Sequence, residues 1–279
     1  MCKIILLSDF AEEFGKNLLR GIARYSKEHG PWTFCRMPGY YRETIGIDGI
    51  LAWAKEWKAD GIIGQFYNNE EVWKFTQAKI PVIAQDFKER FQEIPNITGA
   101  YKETGRMAAE YFLRKGFKNF AFYGFRNIVW SRERAEGFRE RVKEAGYDVH
   151  LHERTDTRGM DLWHYKPSTL TKWLKSLPKP IALMSCDDNM GNHITEASRL
   201  MKIRIPEEIA VLGVDNDEML CELSDPPLSS IGLDTEKSGY EAARLMHQMI
   251  EKKNGKFEDI YVQPTQVVSR VSTDIFASA

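Results

Sequence analysis

The sequence predicts an α/β protein built on parallel sheets with helices on both faces. Three observations predict it. Apolar runs of four to six residues alternate with amphipathic stretches of 10–17 along the whole chain. Prolines punctuate that alternation at Ile80-Pro81-Val82, Lys179-Pro180-Ile181 and Ile205-Pro206, each at or near a strand, where proline ends the preceding helix. The 279 residues, 43% apolar and 28% charged, have ordinary globular composition and suffice to bury a core without a disulfide or metal.

In chain order, strand-like runs fall at 4–7, 33–36, 61–64, 82–84, 119–123, 181–184, 209–214 and 229–233. Between them the helical period predicts helices over 13–28, 46–58, 70–78, 102–115, 133–144, 167–177, 189–201 and 236–252. The first of these sets Phe14, Leu18, Ile22 and Tyr25 on one face. Residues 150–166 are polar without a period and read as a surface connection, with His150 and His152 at the end of a strand, on one face of a solvated strand edge. Eight or nine strand–helix units exceed one open sheet of ordinary width, which leaves one barrel or two sheets.

Composition and motifs exclude several functions. Lys plus Arg is 39 and Asp plus Glu 40, a net charge of -1. That balance argues against a surface that grips phosphate backbone throughout, and against disorder. Cys2, Cys35, Cys186 and Cys221 are dispersed with no CxxC pair, as expected in a reducing compartment. The apolar start Lys3–Leu7 is too short for a signal peptide, and no run is long enough to span a membrane. A soluble, cytoplasmic protein is expected. No phosphate-binding glycine loop, zinc-protease helix or nucleophile elbow occurs. No catalytic residue, metal or cofactor is expected.

Polar residues sit where strands end: Ser8-Asp9, Gln65, Gln85-Asp86, Asp187 and Asp215-Asn216. In open α/β sheets ligands bind outside the carboxyl ends of the strands. A carboxylate accepts two hydroxyl hydrogen bonds from adjacent sugar carbons, an arginine fork donates to sugar oxygens, and an aromatic face covers the apolar side of the ring. Phe10, Phe14, Phe66, Tyr67, Phe87 and Trp130 lie at or near such ends. The candidate ligand-binding set is therefore Ser8, Asp9, Phe14, Phe66, Asp86, Trp130, Arg134, Asp187 and Asp215. Asp188 is expected to cap the helix that follows and Asp187 to face ligand. Ser131 is expected to cap the next helix upstream, which places Arg134 in its first turn, where a cation opposes the helix dipole and points to an anionic or polar partner. The mixed charges that follow, Glu133 to Glu144, read as a salt-bridged solvated face.

Four landmarks give these residues a family. Arg134-Ala-Glu-Gly137-Phe138, Asp187-Asp188-Asn189-Met190-Gly191, the run from Ile205 to Asn216, and Pro227-Leu228-Ser229-Ser230-Ile231 resemble motifs of the LacI-type, periplasmic-binding-protein-like effector domains. Phe120 to Gly124, Trp130 with Glu133-Arg134, and Val268 to Asp274 resemble more narrowly the sensor region of bacterial xylose-operon activators, AraC-type regulators. The resemblance implies two doubly wound parallel-sheet subdomains joined by three crossovers, the type I periplasmic-binding-protein-like arrangement. It implies a first subdomain of 1–98 plus 234–255 and a second of 99–233 plus 256–279, with ligand in the cleft between them. It implies that Arg134 and Asp215 contact the effector and that Asp187 faces the cleft. Asn or Thr is common in the family where Asp187 stands.

Several expectations follow from that resemblance. The chain senses a small-molecule sugar, D-xylose as first choice, as a homodimer, and hinge closure controls DNA binding through a helix-turn-helix that this chain does not contain. The alternative is a stand-alone solute-binding protein of a sugar transporter. A sugar hydrolase using Asp187 and Asp215 finds no accompanying constellation.

Overall fold

Apolar strands buried on both faces are what a parallel sheet needs, and the expected runs become such strands. The computed structural model describes residues 1–155, 165–252 and 255–277. The chain divides into two units: Met1–Gly99 with Asp234–Val262, and Ala100–Leu233 with Gln263–Ala279.

The first unit contains β1 (Cys2–Leu7), α1 (Glu13–His29), β2 (Trp32–Met37), α2 (Gly39–Trp57), β3 (Gly61–Gln65), α3 (Asn69–Gln77), β4 (Val82–Gln85) and β5 (Asn96–Gly99). The second contains α4 (Tyr101–Arg114), β6 (Phe120–Phe125), α5 (Val129–Glu144), β7 (Val149–Arg154), α6 (Pro167–Ser176), β8 (Ile181–Ser185), α7 (Asp188–Leu200), β9 (Ile209–Val214), α8 (Glu218–Leu223) and β10 (Ser229–Leu233). The chain then returns to the first unit for α9 (Thr235–Glu251) and β11 (Ile260–Val262), and ends in the second with β12 (Pro264–Val268).

Each unit is one six-stranded sheet, so the barrel is excluded. The orders are β11-β5-β4-β3-β1-β2 and β12-β10-β9-β8-β6-β7. The two sheets share one connectivity, and all pairings are parallel except β10 with β12. In each, the order reverses beside the first strand, between β1 and β3 and between β6 and β8, which opens a crevice at the carboxyl ends there. The first core gathers Ile5, Ile50, Ile62, Phe66, Phe75 and Val82. In the second, Phe112, Phe120, Phe138, Leu174, Ile194 and Val211 are fully buried.

Three expectations are corrected. The strand expected to end at His150 and His152 runs on to Arg154, into the stretch expected as a connection, the ladder running Val149↔Phe120 to Arg154↔Phe125. His152 is half-buried, its ring 4.9 Å from Trp173 and 5.5 Å from Tyr123. The rest of that stretch, 156–164, lies outside the described residues. The last passage between units falls after Val262 rather than near 255, because Ile260 to Val262 pair with Ile97 to Gly99 of the first sheet. Finally, α2 begins at Gly39, and Gly46 at φ +68° interrupts it where the expected helix began.

Glycines set the spacing of the helices that flank the site. A Cβ on Gly105 of α4 would overlap the Arg134 carbonyl oxygen, and one on Gly137 of α5 would overlap that of Lys102. The two helices therefore touch backbone to backbone. Gly21 of α1 and Gly239 of α9 meet in the same reciprocal way, against Glu236 and Leu18. The mixed charges of α5 are spent on this crossing. Arg106 grips Glu144 through two bonds of 2.8 and 2.9 Å, Arg141 Nη2 lies 2.8 Å from Glu110, and Lys102 lies 3.2 Å from Glu136.

Candidate functional site

In the second unit the crevice between β6 and β8 is lined from three connections. Helix α5, after β6, carries Trp130 and Arg134. Asp187 follows β8 and Asp215 follows β9. Arg134 is only 4% exposed. Its Nη1 donates to the Cys186 carbonyl at 2.7 Å and its Nη2 lies 3.7 Å from Asp215 Oδ1. Its guanidinium sits 5.3 Å from the Trp130 ring and 5.4 Å from the Tyr101 ring. Among the described residues, its Nε is buried without a hydrogen-bond partner. Because α5 begins at Val129, Arg134 lies in the second turn and Ser131 is inside the helix. The Ser131 hydroxyl accepts from the Phe125 N–H at 2.7 Å rather than capping.

Of the two aspartates after β8, Asp187 and not Asp188 takes the cap. Asp187 caps α7, its Oδ1 accepting from the Met190 N–H at 2.7 Å. Asp188 points under the strands, where Oδ1 accepts from Ser230 Oγ at 2.6 Å and Oδ2 from the Asp217 N–H at 2.8 Å. Asp187 is half-buried and its carboxyl feels Arg134, so capping does not remove it from the candidate set. Asp215 and Asn216 leave β9 at φ +101° and +52°, a left-handed step that Asp and Asn tolerate better than most residues. That step turns the Asp215 carboxylate toward Arg134.

Loss of water raises the carboxyl groups here. Burial pushes Asp215 up to about 7, Arg134 pulls it back, and Asp187 and Asp217 add to the rise. Asp187 is raised by burial against the Met190 N–H and Arg134, and Asp188 is held well above the usual range by burial and then by Asp215. Between the ordinary carboxyl value of 3.8 and about 7, the folded form of Asp215 holds a proton that the unfolded chain has released. Its contribution to stability is therefore present at low pH and is lost as pH rises through that window, with a slope up to about 1.4 kcal/mol per pH unit. Asp215→Asn is expected to make the melting temperature fall less between pH 4 and pH 7 than in the parent. Parallel pH profiles for the two proteins would contradict this.

The first unit presents its own polar edge. Ser8 is buried, and Asp9 Oδ1 accepts from the Ala11 N–H at 2.8 Å. Phe14 is half-buried at the start of α1. Two expected residues are already engaged. Phe66 has no exposed surface and meets Phe75 edge-on at 5.7 Å, so Tyr67, 42% exposed, offers the aromatic face instead. Asp86 is 2% exposed and accepts from Thr98 Oγ1 at 2.6 Å.

Sequence reasoning missed Arg42 at this edge. Its Nη2 donates to the Gln65 carbonyl, its guanidinium lies 4.2 Å from the Tyr67 ring, and Glu71 lies 3.7 Å away. Among the described residues, Arg42 Nε and Gln85 Oε1 are both buried without a hydrogen-bond partner. The run Tyr40-Tyr41-Arg42 just after β2 was the available signal. Tyr101 was missed too, being hidden in the first turn of α4.

Among the described residues, no group of three or more His, Cys, Asp or Glu side chains is placed to hold a metal ion, and no helix is long and apolar enough to cross a membrane. All four cysteines are free thiols.

Two six-stranded units of one connectivity, with an arginine and aspartates at the crevice of the second, define the class. The chain belongs to the family of periplasmic binding protein-like domains, which it matches over residues 109–273. It is 30% identical over 283 residues to the xylose operon regulatory protein of Haemophilus influenzae, covering 98% of this chain and 70% of the relative. It is 28% identical to that of Escherichia coli K12, covering 98% and 69%. Among solved structures, a xylose-binding transcription activator superposes with a TM-score of 0.80 at 23% identity, covering 99% of this chain and 70% of the other. A complex of the regulator CelR with cellobiose superposes at 0.79 and 20%, covering 97% and 84%. These homologues are regulators of transcription rather than enzymes, and they favour the regulator reading over the transporter one.

Proposed function

We propose that this chain is the sugar-sensing part of a bacterial transcriptional regulator and that its effector is D-xylose or a closely related pentose. The arrangement around Arg134 carries the reading. A buried guanidinium with an unpartnered Nε, two aromatic faces and the carboxylates of Asp187 and Asp215 are the donor, cover and acceptors that a small polyol needs. Ser8, Asp9 and Phe14 at the first-unit edge are the further contacts of this reading, with Tyr67 and Arg42 added to them. Xylose is preferred because relatives 30% and 28% identical over 98% of this chain are named for the xylose operon.

The reading extends to a cytoplasmic homodimer that acts on DNA, with closure of the two units on the sugar as the switch. Small-angle scattering with and without D-xylose tests closure. A thermal-shift series over pentoses and hexoses tests the effector. D-xylose at 100 times its dissociation constant is expected to add about 2.7 kcal/mol of stability, which for a chain of this size raises the melting temperature by roughly 5–10 °C. A flat response to every pentose would remove xylose from the reading.

A further inference from the structure

The segment after β12 is fastened tightly to the second unit. Tyr111 Oη on α4 lies 3.1 Å from Ser269 Oγ and 2.8 Å from Thr273 Oγ1. Ser272 Oγ donates to the Val211 carbonyl at 2.6 Å, and the Ala277 N–H donates to the Lys115 carbonyl at 2.9 Å. Between these fastenings stands Arg270, whose side chain is 13% exposed. Its Nη1 donates to the Leu228 carbonyl at 3.0 Å and its Nη2 to Asn216 Oδ1 at 3.0 Å, while Nε lies 3.4 Å from Glu222 Oε1. No feature of the sugar site described above uses this residue.

Asn216 adjoins Asp215, and both hold left-handed backbone angles. Two consecutive non-glycine residues stay in that region only where their surroundings hold them. Two anchors do so here. From beneath, Ser230 Oγ takes the Asn216 N–H at 2.9 Å and is itself fixed on Asp188. From the side, the Arg270 fork spans Leu228 and Asn216 together, a geometry that a lysine's single ammonium does not reproduce. The direction of the Asp215 carboxylate thus depends on a residue 55 positions later in the chain, inside the fastened segment.

We propose that Arg270 is a positioning residue for the Asp215 site, acting through Asn216, and that the same hydrogen bond couples ligand occupancy to residues 269–277. The proposal rests on the sugar-sensing reading. A ligand that draws the Asp215 loop into its bound geometry strengthens the Asn216–Arg270 bond, and a segment held by that bond favours the ligand in return, because coupling between two sites is reciprocal.

The test uses the whole chain with Asn216→Gly, Arg270→Lys and the double variant. Asn216→Gly removes the acceptor while glycine still accepts the left-handed angles. D-xylose affinity is read by calorimetry, and exchange of the Ser272, Thr273 and Ala277 amides is read with and without the sugar. Each single variant is expected to weaken D-xylose roughly tenfold, and the double variant no further than the weaker single. D-xylose is expected to slow exchange at the three amides in the parent and to leave it unchanged in the variants. If Arg270→Lys alters exchange throughout the β8 and β9 amides, it is misfolded, and Asn216→Gly alone decides. A parent that binds D-xylose, with variants that bind it equally and show the same slowing, overturns the coupling while leaving the sensor reading intact. A parent that neither takes up D-xylose nor changes its exchange removes D-xylose from the sensor reading and overturns the coupling as proposed.

Discussion

Arg134→Ala is expected to remove sugar binding almost completely. The parent side chain is buried, donates to Cys186 and faces Asp215, so truncation leaves the Cys186 carbonyl without that donor and Asp215 without its cation. Truncating one partner of a buried charge pair costs roughly 2–5 kcal/mol, which is about a 30- to 5,000-fold loss of affinity. The loss has a second source. Arg134 draws the Asp215 carboxyl down, so without it Asp215 rises further and is neutral over more of the pH range. Raising the pH returns that charge but not the fork. Calorimetry on Arg134→Ala at pH 7 and pH 9 is therefore expected to show weak binding at both. Recovery of parent affinity at pH 9 would mean that Arg134 only tunes Asp215. Parent affinity at pH 7 would place the ligand elsewhere.

Phe138→Ala is expected to cost much stability while leaving ligand affinity nearly unchanged. The ring has no exposed surface and meets Phe120 edge-on at 6.3 Å. Its backbone N–H side lies against Gly105, so the helices cannot slide inward to fill the space. Emptying such a site costs about 3–5 kcal/mol. Chemical denaturation is expected to show that loss with an unchanged slope. At temperatures where Phe138→Ala stays folded, its sugar affinity is expected to remain within a few-fold of the parent, since Arg134 points away from the ring toward Cys186. A loss under 1 kcal/mol would mean that the helix pair relaxes into the gap.

The two substitutions divide a motif that the sequence presents as one. Strand ends and family motifs mark Arg134, Asp187 and Asp215 as candidates, and the structure sets Arg134 3.7 Å from Asp215. Which aspartate caps α7 was not legible, since either side chain reaches a free amide. Packing decides it: Asp188 lies against Gly213, where a Cβ would overlap its carboxylate, so it faces inward and Asp187 is left to cap.

Among strands, the doubly buried β1, β6, β8 and β9 announced themselves as apolar runs. The edge strand β7, reading Val-His-Leu-His-Glu-Arg, showed only through its two histidines, and the three-residue β11 not at all. Edges carry polar side chains, and ladders this short hold no period. Arg42 stayed hidden because Gly46 breaks the helical period just after it, which placed it in an apparent loop.

The glycine crossings of α4 with α5, and of α1 with α9, have a consequence for how this chain tolerates change. Most tight contacts in a core can be relieved from the far side, where a large residue gives way to a smaller one. Here each glycine looks at main chain. There is no opposing side chain to shrink, so an alanine at Gly105 or Gly137 has no second-site suppressor of matching volume in the other helix. Changes in the surrounding side chains therefore cannot make room at these four positions.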